Sequence, residues 1–373
     1  MNSPVRLCQD LVRIPSVNPE FSPVVAPGGE AQMAAFLENF LKDLGFTVQK
    51  EEVLSGRPNL IARAPSHHPQ ENDRRPRILL GPHLDTVGVE GMTIPPFSGD
   101  LSDGMIHGRG TSDTKGPMAA MLWGLLENAH QLADLPVAVD FVGFCGEEAS
   151  QPGSCHFASH HAKNYDFAIA GEPTSMEVVH CTKGATWATL ECVGNAAHAS
   201  KPHLGDNAIL KLVSSLPPFL KRLDHVLKDA VHPVLGTPTV NAGVISGGSQ
   251  PNLVPDLCQC RLDIRSTPNL VQERSVTEVL STLLEESPLT LREAHEFPPM
   301  ETPADHPWLL KLGLPLTGAP WFSDAAHLSA AGLPSVCLGP GSIDQAHTRD
   351  EFIKVSDLEA GAQWFTTFIA GLS

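Results

Sequence analysis

Residues 77–87 read Arg77-Ile78-Leu79-Leu80-Gly81-Pro82-His83-Leu84-Asp85-Thr86-Val87 (RILLGPHLDTV). Arg77 to Gly81 has the length and apolar character of a short buried strand, and an imidazole and a carboxylate follow it at once. The same pattern recurs downstream. Val137 to Phe144 (VAVDFVGF) runs into Gly146-Glu147-Glu148, and Phe167 to Ala170 (FAIA) runs into Gly171-Glu172-Pro173. Pro334 to Leu338 (PSVCL) leads through a Gly/Pro turn to His347. Between the first two strands, His107-Gly108-Arg109-Gly110 leads to Asp113, just ahead of a helix expected over Gly116 to His130. Apolar strands alternating with helices imply a largely buried sheet covered on both faces. Polar groups at the carboxyl ends of such strands converge on one crevice.

Other stretches fill in the architecture. Glu30 to Leu44 places Met33, Phe36, Leu37, Phe40, Leu41 and Leu44 on one helical face, with Gly45 as its stop. Asn59 to Ala64 reads as a strand, and the polar, Pro-bounded Ser66 to Arg77 as a surface loop. Thr186 to Val193 and Cys258 to Ile264 alternate apolar and polar residues, as strands exposed on one face do. Between and after them come a helix around Asn207 to Leu220, a turn-rich Val240 to Pro255, and a helix over Asn269 to Glu285. The expected class is α/β. A mixed-sheet catalytic domain covered by helices, 1–183 and 295–373, carries an inserted smaller α+β domain at 184–294.

Composition narrows the function. With 42 acidic against 25 basic residues, the chain carries a formal charge of -17. Phosphate would be repelled, so neither nucleic acid nor an anionic membrane is an expected partner. A hydrophobic content of 42% is too high for a disordered chain. No stretch reaches the roughly 20 apolar residues of a membrane span, and Met1 to Pro15 lacks the apolar run of a signal peptide. The eight cysteines form no C-x-x-C pair, which argues against a thiolate zinc site and a secreted disulfide framework. A reducing cytoplasm is the expected location.

The strand-end residues comprise two imidazoles, His83 and His347, and five carboxylates: Asp85, Asp113, Glu147, Glu148 and Glu172. Five anions cannot crowd one crevice uncompensated, because each would raise the pKa of the others. Two divalent cations would supply the missing charge. Imidazole with carboxylate and no thiolate suits Zn²⁺ first, with Co²⁺ or Mn²⁺ as alternatives. Asp85, two residues from His83 on an extended chain, can accept the ring N–H that faces away from a metal. Glu147 and Glu148 are adjacent and point differently, so one can bind metal while the other acts as general base. Asp113 alone would be read as a helix N-cap.

The chain resembles the M20 family of co-catalytic metallopeptidases and deacylases, which includes acetylornithine deacetylase, succinyl-diaminopimelate desuccinylase, aminoacylase-1 and the glutamate carboxypeptidases. LVRIPSVNP, GPHLDTV, HGRGTSDTKGPMAAML, CGEEA, AGEPT, GNAAHAS, GGSQPNLVPD and LGPGSIDQAHTRDEFI carry the resemblance in the family's order. It implies that His83 and Glu172 bind one metal, Glu148 and His347 the other, and that Asp113 bridges both. It implies further that Asp85 orients His83, that Glu147 is the general base, and that His198 stabilises the oxyanion from a partner subunit. Asn241 and Arg265 resemble residues that contact the substrate's carbonyl or carboxylate. The inserted domain would act as a lid and build a homodimer.

The motifs lie nearest those of acetylornithine deacetylase. The expectation is therefore a cytoplasmic hydrolase of amino-acid biosynthesis that removes an acyl group, acetyl foremost, from an N-acyl amino acid by Glu-assisted attack of a metal-bridging water. A desuccinylase, a dipeptidase or carboxypeptidase acting on short peptides, and a catalytically silent or mononuclear structural-zinc homologue are the competing readings. One departure stands out: Trp321-Phe322 precede Ser323-Asp324 in the short stretch Asp305 to Leu328, where relatives carry a longer helix and a Gly-Thr/Ser-Asp turn.

Overall fold

A computed structural model describes residues 2–21, 28–68, 72–285 and 287–372. The centre of the expected polar loop, residues 69–71, lies outside these. The chain divides into two compact units. One comprises Met1–His180, Glu301–Thr317 and Ser323–Ser373; the other comprises Cys181–Met300 and Gly318–Phe322.

The first unit is built on a mixed sheet. In spatial order it runs Thr47–Leu54, Arg57–Arg63, Ala138–Gly143, Arg77–Gly81, Phe167–Ala170, Ser335–Cys337 and Val178–Thr182. Arg77–Gly81 is parallel to both its neighbours, and Ser335–Cys337 is parallel to Phe167–Ala170. Arg57–Arg63 joins antiparallel. The central strands are buried along their whole length because successive side chains enter two different cores. Ile78, Leu80 and Phe141 pack with Leu7, Leu37, Met118 and Phe365 on one side. Leu79, Val142 and Phe144 pack with Phe157 and Leu328 on the other. The α/β class and the helical cover follow from this double burial.

The helix Lys115–Glu127 is buried around nearly its whole circumference, not on one face. It lies close to the C-terminal helix Val355–Ala370: a Cβ added at Gly124 would sit 2.8 Å from the Phe365 Cβ. The polar strand Thr47–Leu54 escapes a sequence reading because it lies at the edge of the sheet, so its side chains show no clean alternation.

The second unit holds a four-stranded antiparallel sheet, in the order Thr239–Gly247, Leu257–Ser266, Gly184–Val193, Thr290–Phe297. Leu190, Leu262 and Ile264 meet Leu212, Phe219, Leu223 and Leu280 from the helices Ala208–Leu227 and Val276–Leu284. Two expectations need correction. The turn-rich stretch from Val240 begins as the strand Thr239–Gly247, whose pattern is hidden by glycines and a bulge between Ala242 and Val244. The single helix over Asn269 to Glu285 is two, Pro268–Glu273 and Val276–Leu284. The second starts afresh at a reciprocal capping pair between Ser275 and Glu278.

Candidate metal centre

The first strand does not stop at Gly81 in effect. Leu84 N–H donates to the Phe144 carbonyl at 2.7 Å and Phe144 N–H to the Pro82 carbonyl at 3.1 Å. This continued pairing delivers His83 beside the turn Cys145–Glu148. Asp85 then staples that turn. Its Oδ1 accepts from Glu147 N–H at 3.0 Å, and its Oδ2 accepts from Glu148 N–H at 3.2 Å and from the Asn18 amide at 2.8 Å. With the carboxylate so occupied, His83 Nδ1 lies 3.0 Å from the Asp85 backbone carbonyl and 3.6 Å from its Oδ1. Asp85 therefore faces His83 through its carbonyl more closely than through its carboxylate, unlike the side-chain contact expected from the two-residue spacing.

The other nitrogen, His83 Nε2, is 2.9 Å from Asp113 Oδ1. Asp113 Oδ2 is 3.5 Å from His347 Nε2, which is itself 2.9 Å from Glu148 Oε2. Glu148 Oε1 accepts from Val87 N–H at 3.1 Å, and Glu147 Oε1 from the Gln151 amide at 2.7 Å. One donor atom each from His83, Asp113 and Glu148 falls within 4.8 Å of the others. Glu172 is buried at the end of the adjacent strand, outside that trio but close enough for its charge to act on Glu147.

The electrostatics fit the geometry. Burial drives the Glu147 carboxyl well above the usual range; His83 opposes, while the anions of Glu172, Asp324 and Glu148 add to the rise. Burial and Asp113 do the same to Glu172. Burial and Asp113 push Glu148 to about 7, against the pull of His347. Asp113 moves the other way: burial would raise it, but the bonds from His347 and His83 hold it below its ordinary value. His347 is lifted to about 10 by its bonds to Asp113 and Glu148. Imidazole nitrogens and carboxylate oxygens thus face one another across the cluster. An imidazole nitrogen and carboxylate oxygens gathered with no thiolate among them fit a divalent cation.

The remaining site candidates lie in the second unit. His198 is exposed on the short strand Ala197–His198, and its Nδ1 accepts from Ser200 N–H at 3.1 Å, which assigns the ring proton to Nε2. Asn241 is exposed on the strand Thr239–Gly247. Arg265 makes a two-pronged bond to Asp263, at 2.7 and 3.0 Å, and its guanidinium lies 5.6 Å from the Phe322 ring centre.

Sequence reading missed several residues of the first unit. Asn18 holds Asp85, and Glu30, ion-paired with Arg57, accepts Gly146 N–H at 2.8 Å. Asp324 is a further buried carboxylate, pushed to about 7 by burial, and its charge acts on Glu147. Its only sequence signal was its place in the departing stretch after Phe322. Arg109, in the turn before Asp113, donates to Glu351 Oε2 at 2.7 Å. Lys115 donates to the Ile14 carbonyl at 2.7 Å, in keeping with a structural role.

Residues 79–371 match the family described as peptidase family M20/M25/M40. An acetylornithine deacetylase of Vibrio cholerae is 30% identical over 339 residues, 87% of each chain. A probable carboxypeptidase of Aspergillus clavatus is 30% identical, covering 97% of this chain and 86% of its own. An M20 family metallo-carboxypeptidase of Sulfolobus solfataricus shares the fold, with a TM-score of 0.75 at 18% identity over 99% of both chains.

Proposed function

The chain belongs to peptidase family M20/M25/M40 and is a metal-dependent hydrolase of linear amides, and from that premise we propose that it is a dinuclear deacylase removing an acyl group, acetyl foremost, from N-acyl amino acids. The observation that carries this reading is the meeting of His83, Asp113 and Glu148 within 4.8 Å, with Glu147 beside them on the same turn. His83, Asp113, Glu148, Glu172 and His347 would hold two divalent cations, Zn²⁺ in the first instance. Such cations make hydroxide available near neutral pH and polarise a carbonyl.

The chain's own groups do the rest. Glu147 Oε1 is tied to Gln151, leaving Oε2 to take a proton from the attacking water. Burial holds its carboxyl well above the usual carboxylate range, which makes it a stronger base than an exposed glutamate. Glu147 then returns the proton to the leaving nitrogen. His198 of a second copy, with its proton on Nε2, would donate to the carbonyl oxygen as negative charge builds there. Asn241 and Arg265 would contact the substrate's carbonyl or carboxylate; to meet a carboxylate, Arg265 would exchange its internal partner Asp263 for that anion.

A panel of N-acetylornithine, N-succinyl-diaminopimelate, simple dipeptides and longer peptides tests the substrate. The acetylated amino acid should exceed the others in kcat/KM by at least about tenfold. Preference for longer peptides would move the assignment to the carboxypeptidase reading, which the Aspergillus clavatus relative favours.

The dimer belongs to the same proposal. Thr239–Gly247 ends its sheet and exposes Val244 and Ile245 at 51% and 56%, while the helix Ala208–Leu227 exposes Leu210 and Val213. An apolar strand edge beside an apolar helix face suits pairing with a second copy. Replacing both Val244 and Ile245 with Glu should convert a dimer to a monomer by light scattering. A dimer that survives this change would place the interface elsewhere. Among the described residues no helix is long and apolar enough to cross a membrane.

A further inference from the structure

Glu351 is fully buried, and its carboxylate is committed to one loop. Oε1 accepts from Ser112 N–H at 2.9 Å and Asp113 N–H at 3.1 Å. Oε2 accepts from Gly110 N–H at 3.0 Å and the Arg109 guanidinium at 2.7 Å. With two donors on each oxygen, the group has no lone pair left for a cation or a substrate. It is thus a poor metal ligand, although it sits next in space to Asp113.

Its position in the chain gives this arrangement a purpose. Glu351 lies four residues after His347, whose Nε2 is 3.5 Å from Asp113 Oδ2. His347 holds a left-handed backbone, φ 62°, which a side chain resists and which needs a fixed frame. The frame continues beyond Glu351, where Phe352–Lys354 pairs with Met105–His107, and Ser112 Oγ donates to the Phe352 carbonyl at 2.9 Å. One carboxylate therefore connects the loop that ends in Asp113 to the segment that carries His347.

Building on the dinuclear reading, we propose that Glu351 is a positioning residue of the metal centre, which sets Asp113 and His347 in register for a shared cation while touching neither cation nor substrate. In Glu351→Gln the side chain keeps its size, but an amide NH₂ must face two of the four donors. The loop must shift, and Asp113 with it.

The test titrates chelator-stripped full-length enzyme with Zn²⁺ in competition with a chromophoric chelator, and with Co²⁺ read by its visible spectrum. Wild type should bind two ions; if it binds none, the dinuclear reading itself fails. Glu351→Gln should bind at least one ion about 10- to 100-fold more weakly, the usual effect of losing a group that supports a ligand, with an altered Co²⁺ spectrum. Glu351→Asp, which keeps the charge and both oxygens, should recover part of that loss, and serves as the principal variant if Glu351→Gln does not fold. Leu358→Ala, a core truncation in the neighbouring helix, controls for loss of stability alone and should leave affinity and spectrum unchanged. Unchanged affinity and spectrum in the Glu351 variants, or an equal loss in Leu358→Ala, would overturn the proposal.

Discussion

Glu147→Gln should keep its metal and lose turnover by roughly 10²- to 10⁴-fold, the range for removing a general base. The two halves of that result have separate causes. Glu147 lies outside the donor trio of His83, Asp113 and Glu148, and its Oε1 is already held by Gln151. An amide of the same shape can keep the bond to Gln151 by rotating its oxygen toward it, so the turn stapled by Asp85 should persist. What is lost is the basic oxygen, because an amide cannot take and return a proton near neutral pH. Metal analysis and steady-state kinetics on one preparation check both halves. Activity within about tenfold of wild type would remove Glu147 from the assigned role.

Asp113→Ala should be the most damaging single change to metal binding. Asp113 contacts both imidazoles, His83 at 2.9 Å and His347 at 3.5 Å, and their bonds hold its carboxyl below its ordinary value. Removing it deletes the shared oxygens and leaves two histidines that no longer face a common anion. Affinity should fall by more than about 100-fold, the upper end for loss of a supporting group alone, and activity should fall with it.

The stripped protein gives a second readout. A ligand present at about 100 times its Kd stabilises the folded state by about 2.7 kcal/mol. Metal should therefore raise the wild-type Tm and leave the Asp113→Ala Tm nearly unchanged. The variant's metal-free Tm should stay close to that of the stripped wild type, because the lost hydrogen bonds are offset by relief of anionic crowding around Glu148 and Glu172. A variant that still gains thermal stability from Zn²⁺ to the wild-type extent would show that the cation binds elsewhere.

The contrast between these sites and the residues that support them shows what a sequence makes legible. His83, Asp113, Glu147, Glu148, Glu172 and His347 each follow a short apolar strand or a glycine turn, and such local punctuation is visible in one dimension. The central strands are equally plain, because burial on both faces leaves near-continuous apolar runs such as Arg77–Gly81. Supporting residues carry no such mark. Asn18 reaches Asp85 across 67 positions, Glu30 reaches Gly146 across 116, and Glu351 reaches Asp113 across 238. Asn18 and Glu351 fall within stretches that carry the family resemblance, but nothing local to them, or to Glu30, shows which partner the fold will bring. Asp324 was obscured for another reason: it follows Trp321, Phe322 and Ser323 at the start of a short helix, Asp324–Ala330, where an acidic residue reads as an ordinary first-turn residue. The strands Thr47–Leu54, Thr239–Gly247 and Thr290–Phe297 share a third cause. They lie at sheet edges, where half-exposed polar or glycine-rich residues suffice and alternation fades.

The central claim is that divalent cations hold this set of carboxylates and imidazoles together and make amide hydrolysis possible. Stripping the enzyme with a chelator, verifying the metal content, and then following bound Zn²⁺ per chain against hydrolysis of an N-acyl amino acid tests it most directly. The account predicts two ions per chain at saturation, with activity absent when stripped and restored in step with binding. A verified metal-free enzyme that cleaves the amide at the full rate would contradict it.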